Sequence, residues 1–248
     1  METVIALRHL RVSYGPQPAL RLDEFDVRRG ERVALVGPSG AGKTTLLRVC
    51  NGSVVPTQGS VHVLGTDITG ASASALRALR RRVGTVHQQL HLVGPLRVVH
   101  NVNAGHLGEW STTRALRSLV RPHELDGARA ALARMGIADK LLERTDRLSG
   151  GEQQRVALAR IVVQQPDLVL ADEPVSSLDR AHSEEVMDLL CHQVAADGQA
   201  LVVSLHYFDL ARRRCDRLVG IRGGELRFDL PSADVTDAMA DDLYRLVR

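Results

Sequence analysis

The chain has 248 residues and a mass of 27.1 kDa, which is long enough for one large domain or two small ones with a substantial core. Its composition, 44% hydrophobic and 25% charged, excludes a disordered chain, and its net charge of +3 (32 basic minus 29 acidic residues) is too small to indicate a polyanionic partner. The mean hydropathy is −0.08 and no apolar run approaches the roughly 20 residues of a bilayer span, so we expect no transmembrane helix. The three cysteines are widely spaced, which predicts neither a disulfide framework nor a cysteine-ligated metal site.

Strand signals alternate with turns over residues 1 to about 87, which predicts a β-rich first part of the chain. Arg8 and Arg11 interrupt its only early apolar stretch, so we predict no signal peptide and expect a protein on the cytoplasmic side. Within this part, Arg32–Val36 is expected to form a short buried strand, and residues 43–51 are expected to form a helix.

A glycine-rich loop between that strand and that helix matches the pattern G-x-x-x-x-G-K-[ST] in full. This phosphate loop consists of Gly37, Pro38, Ser39, Gly40, Ala41, Gly42, Lys43 and Thr44, and is followed by Thr45. Glycines let backbone N–H groups approach phosphate oxygens, and the positive end of the following helix favours the same anion. Lys43, one of only two lysines, supplies a mobile charge to the β- and γ-phosphates, and the Thr44 hydroxyl can ligate Mg²⁺. The loop therefore predicts a nucleoside triphosphate site, with an incidental glycine-rich turn as the weaker alternative.

Helical patterns replace the strand pattern from about residue 90 to about residue 162. The predicted helices cover residues 98–107, 124–135 and 152–165. Ser149 is a suitable N-cap for the last helix, and Gly150 and Gly151 leave backbone N–H groups open beside it. The start of this helix is therefore a second predicted anion-binding helix N-terminus.

A second buried strand, residues 167–174, carries two acids near its end, Asp172 and Glu173. Neighbouring side chains of a strand point to opposite faces, but the backbone turns where the strand ends, so both acids can face the phosphate site. Asp172 is placed to hold Mg²⁺, directly or through water, and Glu173 to polarise the attacking water as a general base. Such an acidic pair is a weak signal alone, and it becomes a strong one together with the phosphate loop.

The sequence LSGGEQQR, residues 148–155, closely resembles the signature of ATP-binding cassette (ABC) proteins. Further marks of that family follow in the right order along essentially the whole chain. They are Tyr14, Gln88, the segment Ser176-Ser177-Leu178-Asp179, and His206 after the strand pattern of residues 200–204. The resemblance implies the α/β P-loop NTPase fold of ABC ATPases, with a RecA-like core, an N-terminal antiparallel β subdomain and a helical subdomain insert.

The resemblance also implies roles for single residues. Tyr14 stands where the family has an aromatic ring that stacks on adenine, and Gln88 where it has a glutamine that links Mg²⁺ and water to the transmembrane partner. Asp179 lies in the loop that crosses between subunits, and His206 matches a histidine that contacts the γ-phosphate. Simple packing is the alternative for Tyr14, a structural role is the alternative for His206, and Gln89 is the alternative to Gln88.

The family's organisation implies a single ABC ATPase domain over residues 1–248. Residues 1–89 and 163–235 would form the nucleotide-binding core with the β subdomain, residues 90–162 the helical subdomain, and residues 236–248 a C-terminal helix. That last helix is expected over residues 237–247 and is expected to be peripheral.

Family geometry implies that the signature acts on ATP bound to a second copy of the chain. The residues expected to do so are Ser149, Gly150, Gly151 and Glu152. Two chains would then enclose two ATP molecules head to tail, in a homodimer whose halves each supply what the other lacks. A monomer should hydrolyse ATP poorly, because charge stabilisation and water placement would both be incomplete.

Within the family, the chain looks most like the ATPase of bacterial phosphonate importers. The stretches with this likeness are residues 75–84, Asn101-Val102, 105–108, 110–120, 171–179 and 203–206, and the departures are His87 and Tyr207-Phe208. The likeness implies a motor subunit that couples ATP binding and hydrolysis to uptake of phosphonate, phosphate or phosphite through a separate transmembrane permease. A periplasmic or lipid-anchored substrate-binding protein is the other expected partner, and the cytoplasmic face of the inner membrane is the expected location.

Two alternatives stay open, namely a soluble cassette ATPase accessory to a phosphonate-cleaving enzyme complex and an importer ATPase for another small solute. A nucleic-acid or ribosome factor is disfavoured, because such factors usually carry two cassettes or a long coiled-coil insert. Clustered arginines are expected to form solvated helix faces, with contact to anionic lipid headgroups as the second interpretation. They are Arg77, Arg80, Arg81 and Arg82; Arg114, Arg117 and Arg121; and Arg212, Arg213 and Arg214. None of the seven aromatic residues (three Phe, one Trp, three Tyr) interleaves with them, so no nucleic-acid partner is predicted.

Overall fold

A ten-stranded sheet organises the chain in the computed structural model, which describes residues 2–176, 178–196 and 198–245. Its strands are β1 (Thr3–Tyr14), β2 (Gln17–Arg28), β3 (Arg32–Val36), β4 (Gln58–Val63), β5 (Thr66–Asp67), β6 (Val83–Val86), β7 (Leu168–Asp172), β8 (Ala200–Leu205), β9 (Arg217–Arg222) and β10 (Glu225–Pro231). They are hydrogen-bonded in the order β5-β4-β1-β2-β10-β9-β3-β8-β7-β6.

The sheet has a parallel half and a largely antiparallel half. Strands β9, β3, β8, β7 and β6 run parallel to one another. On the other side, β1 pairs antiparallel with β2 and with β4, and β10 pairs antiparallel with β9. Because parallel strands end at the same edge, the residues that follow β3, β7 and β8 come together there.

Helices cover the sheet, so the predicted α/β class is confirmed. The α-helices of the described residues are α1 (Lys43–Cys50), α2 (Ala73–Arg82), α3 (Val98–Asn103), α4 (Thr112–Val120), α5 (Leu125–Arg134), α6 (Gly150–Gln164), α7 (Arg180–Ala196), α8 (Phe208–Arg214) and α9 (Asp237–Tyr244). Short 3₁₀ turns lie at Ala104–Gly108, Ala138–Lys140, Thr145–Arg147 and Ser232–Asp234. Within the described ranges, no helix combines the length and the apolar character needed to cross a bilayer.

Two apolar cores lie on opposite faces of the sheet, and alternate strand residues contribute to each. In β3, Ala34 and Val36 belong to one core, whereas Val33 and Leu35 belong to the other. The first core also contains residues of α3, α5, α6 and α7, and the second contains residues of α1, β1, β2 and β4. Because β3 is buried on both faces, its sequence is a continuous apolar run, as is typical of parallel strands.

Helices α2 and α4 lie outside the residue ranges predicted to be helical, and so do α7 and α8. Helix α2 falls in the part predicted to be β-rich, where only residues 43–51 were expected to be helical, and α4 falls in the arginine-bearing stretch that follows Trp110. Each begins at a serine N-cap, since the side chains of Ser72 and Ser111 accept a backbone N–H three residues later. These capping serines are the sequence signals that could have indicated both helices.

The predicted helices differ from the observed ones mainly at their ends. The helix expected over residues 98–107 is α-helical only over Val98–Asn103 and then tightens into 3₁₀ turns over Ala104–Gly108. At this place Gly105 lies against α6, so that a Cβ on it would come within 2.5 Å of the Arg160 carbonyl oxygen. The backbones of this segment and of α6 thus approach closely where the winding changes.

One of the arginine clusters is partly exposed and also forms ion pairs. Its members Arg212, Arg213 and Arg214 form ion pairs with Asp237, Glu184 and Asp188 at 2.9, 2.8 and 2.7 Å. These pairs link α8 to α7 and to the start of α9, so this cluster joins helices to one another.

The C-terminal helix is not peripheral. Helix α9 packs on the body of the protein, and the Oη atom of its last residue, Tyr244, accepts the backbone N–H of Gly37 at 3.1 Å. The helix was expected to continue to residue 247, but positions 246 and 247 lie outside the described residues.

Candidate nucleotide site

The phosphate loop follows β3 at the carboxyl edge of the parallel strands and leads into α1. Its first residue, Gly37, has φ +148°, and a Cβ there would come within 2.0 Å of the Ile221 carbonyl oxygen. Gly42, the N-cap of α1, has φ +106°, and a Cβ there would come within 2.9 Å of the Ala19 carbonyl oxygen. Both positions therefore require glycine, for backbone conformation and for space.

Lys43 is buried within this loop, with 4% of its surface exposed. Its Nζ donates hydrogen bonds to the carbonyl oxygens of Gly37 at 2.7 Å and Pro38 at 3.1 Å. Because an ammonium group has three N–H donors, one remains for an anion. Burial lowers the pKa of Lys43, and the neighbouring carboxylates of Glu173 and Asp172 act in the opposite direction. The loop thus holds a cation at a defined place.

A network of hydroxyl and carboxylate oxygens lies at the carboxyl ends of β7 and β8. Asp172 Oδ1 accepts hydrogen bonds from Thr44 Oγ1 at 3.1 Å and from Ser204 Oγ at 2.8 Å. Ser204 Oγ in turn accepts the backbone N–H of Glu173 at 2.9 Å. The Thr44 hydroxyl and the Asp172 carboxylate are adjacent hard oxygen donors, which is the ligand type that Mg²⁺ prefers.

Ser204 is a site residue that the sequence analysis missed. It is the polar member of the otherwise apolar strand β8, and it is fully buried. A buried polar side chain in such a strand indicates a specific hydrogen-bond partner, so the sequence did contain a signal for it. Its hydroxyl joins the two acids, because it donates to the side chain of one and accepts from the backbone of the other.

Glu173 and His206 form a hydrogen-bonded pair at the same edge. Glu173 Oε1 and His206 Nε2 are 2.5 Å apart, and their side chains are 17% and 35% exposed. Glu173 has φ +47°, a left-handed conformation that is uncommon for a residue other than glycine and that stores local strain. The backbone turns sharply here, and Glu173 lines the space over the loop while Asp172 contacts Thr44.

A cavity of about 350 Å³ lies over the phosphate loop. Its lining contains Ser39, Gly40, Ala41, Gly42, Lys43, Thr44, Thr45 and Glu173, together with Pro18, Ala19, Gly223 and Gly224. The last four, which were not predicted, come from the start of β2 and from the β9–β10 turn. Gly224 donates its N–H to the Ala41 carbonyl at 3.0 Å, and its own carbonyl accepts the Arg21 N–H at 2.6 Å. These bonds fasten the cavity wall to the loop.

Four other predicted features lie apart from this cavity. Tyr14 ends β1 with 51% of its surface exposed, and Gln88 follows β6 in an exposed position. Ser149 and Asp179 lie at the starts of α6 and α7. The lining formed by the described residues does not include any of these four, so their roles stay predictions.

The signature segment forms the start of α6, which begins at Gly150, two residues earlier than predicted. Ser149 Oγ accepts the Glu152 N–H at 3.3 Å, and Glu152 Oε2 accepts the Ser149 N–H at 2.8 Å. This reciprocal capping box fixes the first turn of a 15-residue helix. Because Ser149 and Gly150 are exposed, the positive end of α6 faces solvent.

Asp179 precedes α7 and caps it. Its Oδ1 accepts the His182 backbone N–H at 3.0 Å, and its Oδ2 lies 2.6 Å from His182 Nδ1. These two hydrogen bonds hold the pKa of Asp179 below its usual range. Ser177, from the same segment, lies outside the described residues.

Comparison with known proteins places the whole chain among cassette ATPases. The family model described as ABC transporter matches residues 20–176. The phosphonates import ATP-binding protein PhnC of Anaeromyxobacter dehalogenans is 49% identical over 98% of this chain, which spans about half (49%) of that relative's length. A PhnC protein of Pseudomonas syringae pv. tomato is 44% identical over 91% of this chain and 85% of its own length.

Solved structures give the same result. The dimeric cassette MJ0796 superposes with a TM-score of 0.79 at 28% identity, over 92% of this chain and 98% of that chain. The cbiO1 protein of Clostridium perfringens, part of the cbiONQ transporter complex, superposes with a TM-score of 0.81 at 25% identity, over 98% of this chain and 92% of that chain. The predicted ABC ATPase fold is confirmed, and the chain belongs to the ABC transporter family of ATP-binding cassettes.

Proposed function

We propose that this chain is the ATP-hydrolysing motor subunit of an importer for phosphonate or a related phosphorus oxyanion, phosphate or phosphite. The observation that carries the proposal is the contact of the phosphate loop with the acidic pair. Thr44 Oγ1 and Asp172 Oδ1 are 3.1 Å apart, and Glu173 lines the cavity that the loop encloses. Membership of the cassette family supports ATP hydrolysis, and relatives at 44% and 49% identity that are named for phosphonate import support the substrate class.

The triphosphate is proposed to bind in the loop, where the backbone N–H groups at the start of α1 surround it and the third proton of Lys43 Nζ is available to it. Tyr14 is proposed to stack on the adenine ring. A stacking ring needs one free face, and the exposure of Tyr14 at the end of β1 is compatible with that role.

Thr44 and Asp172, with Gln88, are the proposed ligands of Mg²⁺. When bound, the ion would neutralise charge on the β- and γ-phosphate oxygens. Thr44 and Asp172 fit this task, since their oxygens already adjoin each other, and Ser204 holds the Asp172 carboxylate by its hydrogen bond of 2.8 Å.

Glu173 is the proposed general base. Its carboxylate would accept a hydrogen bond from the attacking water and take up its proton as the oxygen bonds to the γ-phosphorus. His206, already 2.5 Å from Glu173 Oε1, is placed to fix the direction of that carboxylate and to contact the γ-phosphate. The strained backbone at Glu173 supports a functional role for this turn, because such strain concentrates at active sites.

Replacing Ser204 with alanine should slow ATP turnover and lower the free energy of unfolding by about 1–3 kcal/mol. The change leaves the Glu173 N–H without its acceptor and leaves the Asp172 carboxylate held by the hydrogen bond from Thr44 without the one from Ser204. Steady-state ATPase assays and urea unfolding would measure the two effects. Ser232→Ala is the matched control, because Ser232 Oγ makes a buried hydrogen bond to the Cys215 carbonyl away from the site. Equal turnover in both variants would contradict the positioning role of Ser204.

The signature is proposed to complete the site of a second copy of the chain, through Ser149, Gly150, Gly151 and Glu152. Support comes from the exposed, capped start of α6, which offers backbone N–H groups to an anion outside its own chain. Asp179, also exposed, is proposed to lie in the contact between the two copies.

Ser149→Arg should reduce turnover by at least about 10-fold, because the bulky cation blocks the stabilising N–H groups. Binding of ATP to the monomer should be nearly unchanged, because the same chain's cavity does not include Ser149. Ser111→Arg is the control, since Ser111 caps α4 through the same type of bond, at 3.3 Å. If binding to the monomer disappeared in Ser149→Arg alone, the action across the dimer would be wrong.

The division of the chain follows the same proposal. Residues 1–89 and 163–235 form the nucleotide-binding core with the β subdomain, residues 90–162 the helical subdomain, and residues 236–248 the C-terminal part. The segment after Gln88, residues 90–102, is proposed to transmit closure of the dimer to a separate permease. A substrate-binding protein outside the membrane and a place on the cytoplasmic face of the inner membrane complete the assignment.

Vesicles provide the direct test. The chain would be reconstituted with the permease that co-purifies with it, and ATPase rates compared with phosphonate, phosphite and phosphate on the binding-protein side. Stimulation by one of these anions is expected, and that anion would be the transported substrate. ATPase activity that neither the permease nor any of the three anions changes would contradict the importer assignment.

A further inference from the structure

The C-terminal helix contacts the phosphate loop through a single polar group. Tyr244 Oη accepts the backbone N–H of Gly37 at 3.1 Å, across 207 positions of sequence. Gly37 is buried, so its N–H depends on a protein partner. This contact comes from a helix that has no part in the nucleotide-binding pattern of the sequence.

Helix α9 is held firmly enough to position that hydroxyl. Its first turn is capped by Thr236, whose side chain accepts the Met239 N–H. At its other end, the Arg222 guanidinium donates to the carbonyl oxygens of Asp242 at 2.7 Å and Arg245 at 2.5 Å. Leu243 is buried with 1% of its surface exposed, and the Tyr244 ring packs on the larger apolar core. The phenol group therefore has a fixed place and not merely an occasional contact.

Gly37 is constrained on its other side as well. A Cβ at this residue would come within 2.0 Å of the Ile221 carbonyl oxygen, so the loop and β9 are in close backbone contact. The Gly37 carbonyl oxygen accepts a hydrogen bond from Lys43 Nζ at 2.7 Å. Two hydrogen bonds, one at the N–H and one at the C=O of Gly37, thus connect the Tyr244 hydroxyl with the Lys43 ammonium.

We propose that Tyr244 is a positioning residue for the phosphate loop, which holds Gly37 and, through it, Lys43 in the geometry that binds the triphosphate. The proposal rests on the proposed function, because it assumes that Lys43 meets the β- and γ-phosphates. The Tyr244 hydroxyl touches neither nucleotide nor water in this scheme. It acts by restricting the conformations of the loop before the nucleotide binds, which lowers the entropic cost of ordering the loop on binding.

Tyr244→Phe tests this inference, since it removes the acceptor and keeps the ring. Tyr207→Phe is the matched control, because Tyr207 borders the same cleft between α8 and α9, yet its hydroxyl makes no hydrogen bond among the described residues. Three measurements are needed: the Kd of MgATP for the monomer by calorimetry, hydrogen–deuterium exchange of peptides that contain Gly37, and the kcat of ATP hydrolysis at saturating MgATP.

We expect Tyr244→Phe to raise the Kd of MgATP by about 3- to 10-fold and to speed exchange at Gly37, because the N–H loses its acceptor. The kcat of the saturated enzyme should stay within about 2-fold of the wild type, because the general base is untouched. Tyr207→Phe should match the wild type in all three. The split between Kd and kcat separates positioning of the loop from general damage to the fold.

An unchanged Kd with unchanged exchange at Gly37 would overturn the inference. So would a Kd raised only in parallel with faster exchange throughout the protein, since that result indicates a structural role alone. Binding of MgATP by the wild type separately tests the proposed function. If the wild type failed to bind, the nucleotide assignment would be wrong, and the exchange rate at Gly37 would still decide whether Tyr244 restrains the loop.

Discussion

Replacing Lys43 with alanine should abolish measurable MgATP binding and, with it, all turnover. The Lys43 ammonium is the cation of the phosphate loop. It donates two of its three N–H groups to the carbonyl oxygens of Gly37 and Pro38, and the third is available to an anion. Removing this cation and its remaining N–H donor from beside the β- and γ-phosphates should weaken binding by at least about 100-fold. Calorimetric titration with MgATP would measure the loss, and thermal unfolding would show that the variant is folded.

The control for this prediction is the other lysine of the chain. Lys140 is paired with Glu143 at 3.3 Å on the helical part, away from the loop cavity. Lys140→Ala should therefore bind MgATP as a monomer with the affinity of the wild type. If Lys43→Ala retained wild-type affinity, the triphosphate would have to bind elsewhere, and the proposed site would be wrong.

Glu173→Gln should leave MgATP binding intact and reduce turnover by about 100-fold or more, the usual contribution of a general base. The amide keeps the size of the carboxylate, so the contact with His206 can persist, but it cannot take up the proton of the attacking water. Because ATP then binds without being hydrolysed, the variant should accumulate as a nucleotide-loaded dimer. Single-turnover assays and size-exclusion chromatography with MgATP would detect the two effects.

Glu24→Gln supplies the matched control for the general base. Glu24 lies on β2, exposed and paired with Arg8 at 3.1 Å, so the same change there should leave both turnover and oligomeric state unaltered. Turnover at the wild-type rate in Glu173→Gln would show that another group activates the water. Loss of binding in Glu173→Gln would instead show that the carboxylate is needed to build the loop cavity.

The local sequence patterns predicted the local structure around the candidate site well. The glycine spacing around Lys43 required a strand before it and a helix after it, and both are present as β3 and α1. A serine before two glycines indicated a capped helix start, and Ser149 does form a capping box with Glu152. These predictions succeed because each depends on residues within a few positions of one another, where backbone geometry is dictated locally.

Other parts of the site have no local signal. Ala19 and Gly224 form the wall of the cavity only because β2, β9 and β10 are joined in one sheet, and Tyr244 reaches Gly37 only because α9 packs on that sheet. The C-terminal helix was expected to be peripheral, and nothing in its own residues identifies the distant segment that it contacts.

The glycine-rich loop around Lys43, the two acids at the end of β7, the capped start of α6 and the family of the chain could all be predicted from local residue patterns. Three contacts of the site have no such local pattern and exist only in the folded protein. Ser204 hydrogen-bonds to both Asp172 and the Glu173 N–H, Glu173 contacts His206, and Tyr244 Oη accepts the Gly37 N–H. The physical reason is the range of the interactions. Hydrogen bonds within a turn follow from adjacent residues, whereas bonds between distant segments exist only after strand register and core packing have brought those segments together.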